Sequence, residues 1–310
     1  MTFKTFFSGG EIDRSGNLRS SEAQLSAAWH APDTRFVAVW QSCCIIADNT
    51  AVLLTRAELG PDYSPANSIY LGHNSRHHLF AINLPDELPD DGPDEEAFGN
   101  FRGLLGQMSA ADAALLAYAK GMVEWQQRHQ YCGHCGAANN IIEGGFVMLC
   151  SDTSCGKRSF PRLDPAIIVL TTYNDRALLG RQISWPESQY STIAGFVEPG
   201  ESLEDAVKRE VHEETNIRVD QCRYIASQPW PFPNAIMLGF RATAASSDIH
   251  LNDGELADAQ WVSRAELSGG NIQLPPAQSI AFRLIENWFD EHTGPELQTF
   301  NLSTDFRRTN

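Results

Sequence analysis

The sequence predicts an α+β protein built in three parts and closed by a polar tail. Three observations carry this expectation. Residues 1 to 107 alternate short apolar runs with turn signals; four of the seven cysteines fall between Cys132 and Cys155; and residues 160–290 alternate strand-like runs with two helical segments. The expected boundaries are 1–127 for a β-rich N-terminal domain, 128–160 for a cysteine-held ribbon, 161–290 for a domain of strands and helices, and 291–310 for the tail. A chain of 310 residues is long enough for two domains with a minor module between them.

In chain order, residues 36–40, 51–54 and 78–82 read as strands. No chemistry-bearing constellation accompanies them. Ser109, with Asp112 three residues on, approximates a capping box for a helix reaching about Arg128, interrupted only by Gly121. Beyond the cysteines, residues 166–170 and 235–240 read as strands, and residues 202–215 and 277–290 as helices. Ile280, Leu284, Ile285 and Trp288 form an apolar stripe on the last helix, which is expected to pack into a core. The tail is expected to fray. The sequence shows no internal repeat and no low-complexity segment.

Composition narrows the partners. The net charge is −16 with 42% hydrophobic residues, and the mean hydropathy is −0.29. Such an acidic chain has no general attraction for phosphate backbones. No apolar run approaches the roughly 20 residues needed to span a bilayer, and the N-terminus has no export-signal pattern, so a cytoplasmic place is expected. Part of the negative charge lies in one stretch holding Asp86, Glu87, Asp90, Asp91, Asp94, Glu95 and Glu96. It is read as a solvated loop, with an acidic docking patch as the alternative.

The cysteines are spaced Cys132-x2-Cys135 and Cys150-x4-Cys155. Paired knuckles of this kind supply four thiolates to a tetrahedral Zn²⁺, with Gly136 and Gly156 suited to the tight turns and residues 141–149 to the ribbon strands. The wide second knuckle leaves alternatives: a reversible disulfide pair, four free thiols, or His134 in place of one sulfur. An all-sulfur set suits a structural ion, because a catalytic zinc keeps an open position.

Residues 195–217 read GFVEPGESLEDAVKREVHEETNI. Pro199 and Gly200 make a turn, Ser202 can cap a helix, and Glu204 and Asp205 suit its first turn. Glu210, Glu213 and Glu214 then share one face at i, i+3 and i+4. Three carboxylates on one turn suit Mg²⁺ or Mn²⁺ bridging to phosphate oxygens; a solvated acidic helix is the other reading. Residues 227–235 read SQPWPFPNA. Three prolines force an extended path that presents Trp230 and Phe232, either for packing or to clamp a flat ligand.

The first of these segments resembles the Nudix box, GX5EX7REUXEEXGU, with Gly195, Glu201, Arg209-Glu210, Val211, Glu213-Glu214 and Ile217 in place and Asn216 where the pattern has Gly. Asn is the next most tolerant residue of the left-handed conformation that ends helices. The second resembles SQPWPFPxS, the signature of the NADH pyrophosphatase (NudC-type) branch of that family, with Ala235 replacing the last Ser. Further likeness runs through residues 113–120, Glu124-Trp125, residues 160–162 and Asp164-Pro165.

The resemblance implies a fold of N-terminal β-rich domain, zinc ribbon and C-terminal α/β/α-sandwich Nudix domain, assembled as a homodimer. It implies cleavage of the pyrophosphate of NADH or NAD, and the family is also associated with removal of the NAD cap from an RNA 5′ end. Glu210 and Glu214 match metal-binding glutamates, and Glu213 a further ligand or the group that activates water. Arg209 and Glu201 match the partners that join loop to helix. The Ala194 carbonyl and Glu255 match outlying Mg²⁺ or Mn²⁺ ligands. Phe160 matches an aromatic that closes the substrate pocket, Phe196 one that stacks on nicotinamide, and Ala281 a backbone contact. Gln228, Pro229, Trp230, Pro231, Phe232, Pro233, Asn234 and Ala235 match the substrate loop. Competing expectations are a broader hydrolase of ADP-ribose or dinucleoside polyphosphates, and a degenerate binding module, against which the intact Arg-Glu-x-x-Glu-Glu array argues.

Overall fold

The computed structural model describes residues 5–88, 92–104, 106–252 and 254–304. Asp90 and Asp91 of the acidic stretch, Asp253, and the last six tail residues lie outside the described residues. The chain divides into two compact units. One comprises Gly9–Leu163 with Trp230–Asn234; the other comprises Met1–Ser8, Asp164–Pro229 and Ala235–Asn310.

The unit holding the N-terminal domain contains α1 (Glu22–His30), β1 (Arg35–Trp40), β2 (Cys43–Ala47), β3 (Thr50–Ala51), α2 (Arg56–Leu59), β4 (Ile69–His73), β5 (His78–Asn83), β6 (Phe98–Gly99) and α3 (Ala110–Arg128). Its sheet runs β3-β2-β1-β5-β4, with β1 parallel to β5 and antiparallel to β2. Trp29 wedges edge-on against Phe36 and Phe80, ring centroids 4.7 and 5.1 Å away. Each such fully buried side chain contributes about 1.5–3 kcal/mol. Strands are found near residues 36–40 and 78–82 as expected. Residues 51–54 are mostly not strand: only Ala51 belongs to β3, and Leu54 makes a single bridge to Phe36. β2 and β4 were not foreseen, because their apolar residues are short runs broken by Cys and Gly.

α3 is capped by Ser109, which accepts from the Asp112 N–H, and it packs on β1, β4 and β5. A Cβ on Gly121 would come within 3.2 Å of Asn234 Oδ1, so a larger residue there requires that side chain to give by a few tenths of an ångström. The ribbon of the same unit is a three-stranded sheet, β7 (Asn139–Ile142), β8 (Val147–Cys150) and β9 (Arg158–Ser159).

The second unit contains β10 (Asp164–Tyr173), β11 (Arg176–Gln182), β12 (Ile193–Phe196), α4 (Leu203–Thr215), β13 (Val219–Trp230), β14 (Ala235–Ala244), β15 (Leu256–Ser263), α5 (Arg264–Ser268) and α6 (Ile280–Phe289). The strand order is β13-β14-β10-β11-β15, with β12 paired to β10. β10 is apolar without alternation because both of its faces are covered. Ile167 and Val169 meet Val207 and Val211 of α4, while Ile168 and Leu170 meet Phe282, Ile285 and Trp288 of α6. The result is an α/β/α sandwich with the carboxylate helix on one face. Among the described residues no helix is long and apolar enough to cross a membrane.

The expectation for the tail is corrected. The tail does not fray before residue 304: Leu297 and Leu302 are buried, Leu274 N–H donates to Leu302 O at 2.8 Å, and Thr304 N–H returns to Leu274 O at 2.9 Å. Isolated leucines in a polar stretch gave no periodicity to read. A repeat also exists, in topology and not in sequence. The order β4-β5-β1-β2 mirrors β13-β14-β10-β11, each central strand being parallel to one neighbour and antiparallel to the next strand in the chain. The N-terminal copy has only the four-residue α2 where the other has α4, so it carries no carboxylate face.

Candidate metal and active site

The loop entering α4 is a β-turn: Glu201 N–H donates to Glu198 O at 3.2 Å, with Pro199 and Gly200 between them and Gly200 at φ +96°. Ser202 caps the helix through the Asp205 N–H, and Asn216 ends it at φ 61°, its N–H bonded to His212 O at 2.7 Å. Asn in the motif's Gly position therefore makes the left-handed cap itself.

Arg209 is the centre of the site. Its Nε and Nη2 donate to the two oxygens of Glu201 at 2.6 and 2.9 Å, its Nη1 to Glu210 at 2.8 Å and Glu213 at 3.1 Å, and its Nη2 to Phe196 O at 2.9 Å. One guanidinium thus joins the turn, β12 and α4, a use of planar fork geometry that lysine could not make. The bond from Arg209, helped by the Glu198 N–H, lowers the Glu201 pKa to about 2. Glu210 behaves oppositely. Burial raises its pKa, Arg209 works against this, and the charges of Glu213 and Glu255 add to the rise.

Glu210 lies across the backbone of Gly195, while Glu214 is buried and Glu213 is open to solvent. Ala194, one residue before Gly195 on β12, is exposed. Glu213 and Glu255 line one cleft of about 360 Å³ with His212 and Asn252. Sequence reasoning missed the last two, which stand out only once the chain is folded. The donors Glu210, Glu213, Glu214 and Glu255 with the Ala194 carbonyl are all oxygen, which suits a hard divalent cation. Among the described residues, however, only the four cysteines are already gathered as a group able to hold an ion.

The aromatic segment divides. Gln228 is wholly buried, its Nε2 donating to Phe6 O at 3.3 Å and Gln278 O at 2.8 Å, and its Oε1 accepting from Ile280 N–H at 2.8 Å. Its side chain holds the start of α6 and has no exposed atom to offer a ligand. Pro229 and Pro233 are exposed, Pro231 and Ala235 buried, and Ala281 is buried in the first turn of α6. Trp230 and Phe232 are half-buried and meet edge to face at 5.4 Å. Asn234 donates to Arg162 O at 2.7 Å. Phe160 and Phe196 are 49% and 63% exposed, too open for core packing.

In the ribbon, the four Sγ atoms lie within 4.8 Å of one another, with Cys132–Cys155 at 3.8 Å and Cys135–Cys150 at 3.4 Å. A tetrahedral zinc with Zn–S near 2.3 Å sets its sulfurs roughly 3.8 Å apart, so the set fits zinc and is too wide for disulfides. His134 is outside this group. N–H groups of Cys135 and His134 lower the Cys132 pKa to about 7. The wide second knuckle has a simple cause. Gly136 N–H bonds Cys132 O, and Gly156 N–H bonds Asp152 O, both at 2.9 Å. Asp152 therefore takes the turn position that Cys132 holds in the first knuckle, and Cys150 reaches the site from the end of β8.

Among known families, residues 162–288 match the NUDIX domain, residues 33–125 the NADH pyrophosphatase-like rudimentary NUDIX domain, and residues 127–160 the NADH pyrophosphatase zinc ribbon domain. The NAD-capped RNA hydrolase NudC of Mycobacterium bovis is 34% identical over 292 residues, which is 89% of this chain and 92% of that protein. The protein of the same name from Stutzerimonas stutzeri is 39% identical over 224 residues, 72% of this chain and 78% of its own length. The Homo sapiens NAD-capped RNA hydrolase NUDT12 is 38% identical over 197 residues, 59% of this chain; the match spans 43% of that relative, less than half its length.

Proposed function

The chain belongs to the Nudix family, in its NADH pyrophosphatase branch, and from that premise we propose that it hydrolyses the pyrophosphate bond of NADH or NAD. Water adds to one phosphorus and the bridging oxygen leaves with the other, giving reduced or oxidised nicotinamide mononucleotide and AMP. The same cleavage on an NAD-capped RNA would release the nicotinamide half and leave a 5′-monophosphate. The observation that carries the reading is the Arg209 clamp, which ties Glu210 and Glu213 to the Glu201 turn and to the backbone of Phe196.

Glu210, Glu213, Glu214, Glu255 and the Ala194 carbonyl are the groups that would hold Mg²⁺ or Mn²⁺. Bound there, such ions neutralise the diphosphate and lower the pKa of the attacking water. Of the three carboxylates on α4, Glu213, whose side chain is 54% exposed, is the most open to accept a proton from that water. Arg209 touches no substrate in this scheme; it makes the carboxylates and β12 one rigid body. Phe196, Phe160 and the Trp230–Asn234 segment offer flat faces for the nicotinamide and adenine rings. Zinc on Cys132, Cys135, Cys150 and Cys155 holds the ribbon. A cytoplasmic homodimer is the assembly proposed.

The deciding experiment compares kcat/KM for NADH, NAD, ADP-ribose and NAD-capped RNA, each with Mg²⁺ and with Mn²⁺. Preference for a nicotinamide-bearing substrate supports the reading. Equal or better turnover of ADP-ribose would replace it with the broader hydrolase, and no turnover with either ion would leave a binding module.

A further inference from the structure

Trp230–Asn234 clusters with the N-terminal unit, although its neighbours on both sides belong to the other. Pro231 and Pro233 within it, and Pro229 just before it, remove backbone donors, so the segment can be anchored chiefly through its carbonyls. Phe232 N–H donates to Trp230 O at 2.8 Å, a three-residue turn centred on Pro231. The two aromatic residues stand on either side of that turn. The carbonyl at its centre accepts from Lys120 Nζ at 3.0 Å.

We propose that Lys120 is a positioning residue for substrate discrimination: held by Glu124, it fixes the Pro231 carbonyl and with it the angle between Trp230 and Phe232. The proposal rests on the reading that this aromatic pair faces the nicotinamide ring. Lys120 and Glu124 are 5% and 7% exposed and form an i,i+4 ion pair inside α3. A buried ion pair is weak evidence for stability, since apolar residues of similar volume often pack as well. What an apolar pair could not provide is a donor for the Pro231 carbonyl.

The surroundings are arranged for this pair. Ser42 Oγ donates to Glu124 at 2.6 Å from the two-residue turn between β1 and β2. Gln41 and Ser42 sit there at φ 46° and 64°, a conformation that hairpins usually give to Asn-Gly. Non-glycine residues are retained in that conformation where the surrounding structure holds them in place, and here the hydroxyl is used on Glu124. The Phe232 ring lies under two cations, Arg102 at 5.2 Å and Lys120 at 5.9 Å from its centroid. Asn234, bonded to Arg162 O and lying against Gly121, secures the far end. Among its described residues the N-terminal unit has no carboxylate helix of its own; it carries the aromatic segment.

The test uses the full-length chain as Lys120→Met, and as Lys120→Met with Glu124→Met so that no lone charge is left buried. The readouts are the ratio of kcat/KM for NADH to that for ADP-ribose, which has no nicotinamide, and the melting temperature. The ratio is expected to fall about tenfold or more in both variants, through KM for NADH, because small displacements of a positioning group are costly. Lys120→Arg, which keeps a donor, should restore much of it. A ratio unchanged in the double variant, with both activities falling together, would make the pair merely structural and overturn the proposal. A wild-type protein with no preference for NADH would instead overturn the reading beneath it, whatever the variants do.

Discussion

A Cβ built on Gly195 would stand 1.9 Å from Cδ of Glu210, so the glycine and the glutamate occupy one steric niche. The need is for space, since Gly195 lies in an ordinary strand register opposite Ile167. Gly195→Ala should keep the fold and displace the carboxylate. A displacement of about 1 Å lowers kcat by roughly 10²-fold. Turnover assays beside thermal melting check this, and wild-type kcat in a folded variant would mean Glu210 is not needed where it stands.

Glu214 is 5% exposed at the inner end of the carboxylate face. Glu214→Gln keeps shape and hydrogen-bonding capacity but removes one negative charge. The variant should fold normally and lose on the order of 10²–10⁴ in rate, as other electrostatic groups do when removed. Activity within about twofold of wild type would sink its assignment as a metal ligand.

How much of the fold and the site is legible in the sequence depends on whether the signal is local. The α4 segment announces itself because Pro199-Gly200, Ser202, the acidic first turn and Asn216 are contiguous, and each fixes a backbone angle or a cap. The Arg209–Glu201 bond spans only eight residues. The Gln228 side chain could not be foreseen as an anchor for α6, because its acceptor at Gln278 lies 50 residues away. Nor could the N-terminal fold be recognised as a second copy. Its likeness resides in strand order and direction, which hydrogen bonds define and side-chain pattern does not. The Lys120–Glu124 spacing is visible, but i,i+4 pairs are usually solvated; only burial marks this one as different.

The ribbon should contain one zinc per chain. The sulfur separations of 3.8 and 3.4 Å match a tetrahedral ion, and the extra residues of the second knuckle are absorbed before the turn. Elemental analysis of purified protein tests this directly. Stable protein free of zinc would show that the ribbon holds without metal.

Acid should weaken the clamp over a defined window. Glu201 has a folded pKa of about 2 against an ordinary 4.5, a depressed value. A depressed carboxylate contributes stability that is complete above its unfolded pKa and is lost as pH falls through the folded one. Glu201→Gln lacks that contribution at every pH. The stability difference between wild type and Glu201→Gln should therefore be constant above pH 4.5 and shrink from there toward about 2. Denaturant titrations across that range check it; a difference independent of pH would mean the carboxylate charge is not what Arg209 holds.

The exposed ring of Phe196 and the half-buried ring of Phe232 separate stacking from packing. Phe196 is 63% exposed, and its backbone carbonyl, not its ring, receives Arg209. Phe196→Ala should leave the melting temperature unchanged. If the ring stacks on nicotinamide, the variant should forfeit roughly 1–3 kcal/mol of binding, the range for base–aromatic contacts. The loss should be large for NADH and smaller for ADP-ribose. Phe232 differs, because Trp230 meets its edge and Arg102 lies over its face. Phe232→Ala should therefore lower both the melting temperature and the preference for NADH. Metal dependence should hardly move in either variant, since neither side chain is a ligand. An equal proportional loss on both substrates, in a Phe196→Ala protein that melts early, would assign that ring to packing and remove it from the substrate site.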